Sequence, residues 1–224
     1  MVTSTTLHPL DINLAKAPSN RVCYIILPDG VKDDIDVYLN DAAHRFNCSM
    51  VVIYGLNWND DLTPWPAEGV FKEKKPFGGK ASEFLDKFLS KEIIEIETQL
   101  ELTNPDRFLG GLSLSGLFAV WSLTQTDLFH GAASISGSFW FDGFTEWVRV
   151  NPVKRMPIRI YISLGNREKN SQDKRMSRVQ ECTEELVSIL ERQGHSVDYR
   201  LVDGTHFSPI VPRLDMALES LLSH

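Results

Sequence analysis

Three features of the sequence predict an α/β domain built on a mostly parallel sheet with helices on both faces. Short apolar runs alternate with stretches whose apolar residues recur at helical spacing from residue 21 onward, and that alternation calls for parallel strands joined by crossover helices. At residues 107–121 an apolar run breaks into Gly111-Leu112-Ser113-Leu114-Ser115-Gly116 and resumes with helical character. It reads as a strand, a sharp turn and a helix. The 224 residues, 42% hydrophobic and 24% charged, suffice for one sizeable core. Residues 1–224 are therefore expected to form a single domain, with 1–20 as a short N-terminal segment holding at most one weak strand near 7–14.

Residues 21–27 are a continuous apolar run, the mark of a central strand buried on both faces. Ile35, Tyr38, Leu39, Ala42, Ala43 and Phe46 then recur at helical spacing, and 50–56 is the next buried strand. Residues 57–79 carry Trp58, Trp65, Phe71, Phe77, three prolines and paired glycines with little regular structure. A connection of that length and aromatic content predicts a packed loop over a pocket, although an ordinary surface excursion reads similarly. Leu85, Leu89, Ile93, Ile96 and Leu100 mark a helix over 81–100. Strands follow at 131–136, 158–164 and 196–202; a helix carrying Met176, Val179, Leu186, Ile189 and Leu190 stops at Gly194, and a last helix covers about 211–222.

Ligands of such sheets bind beyond the C-terminal ends of the strands. Ser113, Glu168 and His206 each lie just past a predicted strand end, in the chain order serine, acid, histidine. The chemistry needs these residue types. A serine hydroxyl is a weak nucleophile near neutral pH, an imidazole can take its proton, and a carboxylate fixes the imidazole's tautomer. The turn that lifts Ser113 demands small residues two before and two after it, here Gly111 and Ser115, where the usual motif has glycine. His44, His130, His195, His8 and His224 sit within helices, beside a strand or cap, or near the ends. His206 is the histidine placed for work. For the acid, Asp173 and Asp203 stay open beside Glu168.

A net charge of −7 argues against nucleic acid or an anionic membrane as partner. The densest basic stretch, 72–80, is interrupted by Glu73. No apolar run reaches membrane-spanning length and residues 1–6 lack the features of a signal peptide, which predicts a soluble cytoplasmic protein. Cys23, Cys48 and Cys182 fit buried thiols, not a disulfide or metal framework. No cofactor or metal is called for.

The chain resembles the esterase D and enterochelin-esterase group of α/β hydrolases, related to feruloyl esterase modules and mycolyltransferases. The resemblance runs from about residue 22 onward and rests on motifs in shared order: 27–30, 61–64, Gly78-Gly79, the serine turn, Ser136-Gly137-Ser138-Phe139-Trp140, Gly165 with Glu168, and Gly204-Thr205-His206. It implies ester hydrolysis through an acyl-enzyme on Ser113, with an oxyanion hole from the amides of Leu114 and Val31. Set against the family, Ser115 replaces a glycine. The N-terminus looks too short for the strand pair that precedes the first core strand, which predicts a trimmed sheet of six or seven strands. Residues 57–79 and 137–149 are expected to wall the cleft, with Trp65, Trp140 and Phe139 as substrate contacts, although aromatic clusters are also what cores are made of. The expected partner is a small-molecule ester. A thioester or a siderophore lactone is the alternative substrate, and a catalytically silent ligand-binding protein of the same fold is the alternative of another class.

Overall fold

The computed structural model describes residues 3–7, 10–70 and 75–222; the expectations for residues 1–2, His8, Phe71, 72–74 and His224 lie outside them. Eight strands form one mixed sheet: β1 (Thr3–Leu7), β2 (Leu10–Ala15), β3 (Arg21–Ile26), β4 (Ser49–Tyr54), β5 (Asp106–Leu112), β6 (Gly131–Ile135), β7 (Arg159–Gly165) and β8 (Ser196–Val202), in the spatial order β1-β2-β4-β3-β5-β6-β7-β8. From β4 to β8 all neighbours run parallel. The chain starts at one edge with β1 and β2, lays down β3 one place further in, fills the gap with β4 and then adds β5 to β8 in order beyond β3, so the C-terminal ends of β3 and β5 lie side by side with Ile26 opposite Gly111.

The mostly parallel α/β architecture is the expected one, but the trimming is not. β1 and β2 pair antiparallel, and β2 pairs antiparallel with β4 from Asp11 opposite Tyr54 to Ala15 opposite Met50. The sheet therefore has eight strands in place of six or seven. The alternation of β2, Leu10-Asp11-Ile12-Asn13-Leu14, is that of a strand near the sheet edge, a far weaker signal than the all-apolar run of β3.

Strand side chains alternate between two cores. Val22, Tyr24 and Ile26 of β3 face one, while Cys23 and Ile25 face the other. On the second face lie α1 (Lys32–Arg45) and, at the far end of the chain, α7 (Ile210–Leu222). The first face carries α2 (Ala81–Lys87) and α3 (Ile93–Gln99), joined by a π-helical turn at Phe88–Glu92 that interrupts the expected single helix. It also carries α4 (Leu114–Gln125), α5 (Phe144–Val150) and α6 (Val179–Arg192). All three cysteines are buried and free. Among the described residues no helix is long and apolar enough to cross a membrane.

The described part of the loop after β4, residues 55–70 and 75–80, is packed, as its aromatic content predicts. It holds a helical turn, Trp58–Asp61, and a two-residue antiparallel ladder joining Pro66–Ala67 to Phe77–Gly78. The Thr63 hydroxyl ties it together, accepting from the Gly79 amide at 3.0 Å and donating to the Asn59 carbonyl at 2.7 Å.

Candidate active site

The C-terminal ends of β5, β7 and β8 bring Ser113, Glu168 and His206 together. Ser113 stands between β5 and α4 with φ 64° and ψ −121°. A non-glycine residue with positive φ costs about 1–3 kcal/mol and persists only where its surroundings over-determine it. Here they do. A Cβ on Gly111 would lie 2.5 Å from the backbone carbon of Ser115, so this crossing of the chain admits glycine alone. Ser115 is fully buried, and its hydroxyl accepts from the Leu112 amide at 2.8 Å while facing the carbonyls of Ile26 at 2.7 Å and Leu112 at 2.8 Å. The residue that departs from the motif thus fits the turn and fastens it to the end of β3.

His206 Nε2 lies 3.1 Å from Ser113 Oγ, and its Nδ1 lies 2.8 Å from Glu168 Oε2. The other Glu168 oxygen accepts from the Gly165 amide at 2.8 Å and from the Ser136 hydroxyl. Burial alone would push this carboxyl upward, but the His206 and Ser136 hydrogen bonds, the imidazolium charge and the Gly165 amide outweigh it and hold its pKa below the ordinary glutamate value. The rival acids are engaged elsewhere. Asp173 accepts from the Arg175 and Met176 amides at 2.9 and 3.0 Å, and Asp203 accepts from Asn166 Nδ2 at 3.2 Å on the surface. Among the other described histidines, His130 accepts from the Arg107 amide at 3.2 Å, and His195 is buried between a helix end and β8.

Three residues join the site that the sequence reading did not assign to it. Ser138 Oγ is 3.3 Å from Ser113 Oγ. Ser136, with φ 48°, hydrogen-bonds Glu168. Arg213 of α7, 4% exposed, donates to the His206 carbonyl at 3.3 Å and to the Ser136 hydroxyl. The Ser-Gly-Ser-Phe-Trp motif signalled the first two; Arg213 lies in an amphipathic helix without a local signature.

Leu114 opens α4, so its amide belongs to the first turn, which no intrahelical carbonyl reaches. Val31 closes a 3₁₀ turn (Asp29–Val31) after β3, and its amide donates to the Pro28 carbonyl at a long 3.3 Å. Both residues line a cavity of about 430 Å³ above Ser113, whose apolar wall includes Trp58, Phe77, Trp140 and Ile210. A second cavity of about 310 Å³ adjoins it on the Glu168 side and adds Arg167, Asn170 and Ser171. Trp140, Met176 and Phe207 line both; the Phe207 ring is 90% exposed and stands edge-on to His206 at 5.5 Å.

Two of the three expected substrate contacts are elsewhere. Phe139 is 1% exposed and stacks on Phe144 at 5.5 Å in the core. Trp65 packs against Phe141 and Trp147 at 5.8 and 5.4 Å, and its Nε1 donates to the Asp142 carbonyl at 3.0 Å, which ties the two aromatic loops together behind the cleft. Residues 137–149 are likewise not a bare wall: they run into α5, whose Phe144 and Val148 are buried. Trp140 alone of the three lines the cavity.

The sequence matches the putative esterase family over residues 20–210. It is 26% identical over 166 residues to YbbA of Bacillus subtilis strain 168, an uncharacterized protein, a match covering 71% of this chain and 66% of that one. The fold is similar to that of an IroE-like serine hydrolase from Shewanella oneidensis, with a TM-score of 0.78 at 20% identity over 100% of this chain and 80% of the other. It is also similar to the siderophore hydrolase EstA from Aspergillus nidulans, with a TM-score of 0.67 at 20% identity over 100% of this chain and 93% of the other. The serine turn, the eight-stranded sheet and the family match agree: the chain belongs to the putative esterase family, on an α/β-hydrolase fold.

Proposed function

We propose that this esterase-family protein hydrolyses small-molecule carboxylic esters through an acyl-enzyme on Ser113, within one catalytic domain and in the cytoplasm. The observation that carries the reading is the unbroken chain Ser113 Oγ, His206 Nε2, His206 Nδ1, Glu168 Oε2, with heavy-atom distances of 3.1 and 2.8 Å. Ser113 Oγ attacks the ester carbonyl carbon as its proton passes to His206 Nε2, while Nδ1–H donates to ionised Glu168 and keeps Nε2 free to accept. The Leu114 amide receives the developing oxyanion. Val31 supplies a second donor once the substrate oxygen replaces the long bond to Pro28. The proton on Nε2 goes to the departing alkoxide, water attacks the acyl carbon as His206 takes its proton, and the carbon–Oγ bond breaks to release the acid as Nε2 returns that proton to Ser113 Oγ. None of these steps requires a cofactor.

The apolar wall of the 430 Å³ cavity favours an ester with an apolar acyl group. The named siderophore hydrolases of like fold keep a lactone as the second reading of the substrate. A fluorophosphonate probe tests the reading without knowledge of the substrate, because it reacts only with an activated serine. Labelling at Ser113, lost in Ser113→Ala, is the expected result. An unlabelled, folded wild-type protein overturns it in favour of a silent binding protein.

A further inference from the structure

Among the described residues Arg213 is the one buried cation next to the triad, and the mechanism above leaves it without a task. It sits in the first turn of α7, on the second face of the sheet, yet its guanidinium reaches up to the loops that carry the acid and the histidine. Burial disfavours its charged form and pushes its pKa down, while Glu168 opposes that. Removing an arginine from water costs several kcal/mol unless it is paired and hydrogen-bonded. An apolar residue at this helix position would avoid that cost, so the contacts made by the guanidinium are its reason to be there.

Those contacts converge on the catalytic groups. Nη1 donates to the carbonyl of His206 at 3.3 Å, fixing the backbone of the residue that must present its ring to Ser113. Nη2 donates to Ser136 Oγ and stands 3.9 Å from Glu168 Oε1. Because Ser136 accepts from Arg213, its own proton is directed to Glu168 Oε1. With the Gly165 amide on the same oxygen, Oε1 is saturated and Oε2 is left for His206. Lysine, a single point donor, cannot bridge two such acceptors with the fixed fork of a guanidinium.

We propose that Arg213, through Ser136, is a positioning residue of the reaction: it locks the acid and the histidine in register and places a positive charge behind the Glu168 carboxylate. The proposal rests on the triad reading above. Tyr161 from β7, Arg167 and Glu168 from the loop after β7, and Asp203 and His206 from the loop after β8 are the titratable groups around this spot. Among them Arg167 and Asp203 face each other at 3.7 Å in solvent, and from α1 Tyr38 and Arg45 are turned to Asp215. Removing Arg213 therefore leaves the Glu168 charge, which faces His206, less compensated.

The test measures the rate of fluorophosphonate labelling and the kcat for p-nitrophenyl acetate against pH. Breaking charge-assisted hydrogen bonds predicts that Arg213→Met lowers both rates by about 10–100-fold, with little change in KM. The acidic limb of the profile should move upward by about half a pH unit, as a lost neighbouring cation requires. Arg213→Lys should restore the limb but not the rate. Ser136→Ala keeps the cation and cuts the relay, so it should lower the rate with the limb close to wild type; it also serves as the test should Arg213→Met fail to fold. A folded Arg213→Met with wild-type rates, or with a slow rate and an unmoved limb, overturns the proposal, as does a Ser136→Ala protein with the wild-type rate. If wild type itself does not label, the triad reading fails first. If it labels and Arg213→Met is indifferent, only this proposal falls.

Discussion

Ser113 and Glu168 are held in place by opposite means. The serine is fixed by its own backbone: a strained φ of 64°, a glycine two residues before it where an added Cβ would lie 2.5 Å from the Ser115 backbone, and a buried serine two residues after it. The glutamate is fixed by its side chain, which takes donors from the end of β7, the β6 loop and the β8 loop. One position is a matter of local chain geometry, the other of tertiary agreement among separate segments. Substitutions at the first should therefore act all or none, and substitutions at the second should be graded and sensitive to pH.

The largest effect is expected at the nucleophile. Ser113→Ala should reduce hydrolysis of p-nitrophenyl acetate by about 10⁴-fold or more with an unchanged circular dichroism spectrum, since the hydroxyl and not the fold is lost. Residual activity within tenfold of wild type would place the nucleophile elsewhere. Glu168→Gln should follow with a loss of about 10²–10⁴ in kcat, against less than about threefold for Asp173→Asn. Equal effects of the two would leave a Ser–His dyad. Because Glu168 is held below its ordinary pKa, it stabilises the fold above the normal glutamate range, and that contribution fades as the pH falls through the lowered value. Melting temperatures taken from about pH 7 down to pH 3 should accordingly fall less steeply for Glu168→Gln than for wild type.

Gly111→Ala sharpens the contrast from the elbow's side. The added methyl meets the chain backbone rather than a movable side chain, so thermal melting should register a loss of about 2–4 kcal/mol together with lost labelling. A stable, active variant would show that the turn has room to relax. Trp140→Ala and Trp65→Ala should then separate wall from scaffold. The first should raise KM for butyrate or benzoate esters more than for acetate, whereas the second should lower the melting temperature and depress all esters alike. The smallest change is expected at Ser115. Ser115→Ala strips the hydroxyl from the buried Leu112 amide and should cost about 1–3 kcal/mol of stability, read by denaturant titration, with kcat within a few fold of wild type.

This division also explains what the sequence disclosed. A strand, a run of small residues and a helix are contiguous, so the elbow was readable at residues 107–121, and strand ends located Glu168 and His206. The roles of Arg213 and Ser136 depend on where α7 crosses the sheet, which no window of residues contains. Phe139 and Trp65 read the same as Trp140 because an aromatic ring looks alike whether it lines a cleft or fills a core. The β1–β2 hairpin was obscured for a third reason. β2 carries Asp11 and Asn13 between its apolar residues, and its pairing with β4 decides its place in the sheet.

The Ser115 hydroxyl makes the elbow observable in real time. The Leu112 amide donates to it in a site closed to solvent, next to the last carbonyls of β3 and β5. Its hydrogen cannot exchange with deuterium unless the turn lets go of β3, so its exchange rate is a clock on that release, separate from the slower clock of global unfolding. A Leu112 amide that exchanges no faster than the β5 interior would mean that the serine is presented by a body as rigid as the sheet. Faster exchange would mean that the turn opens on its own, with a frequency that sets how often Ser113 is out of line with His206.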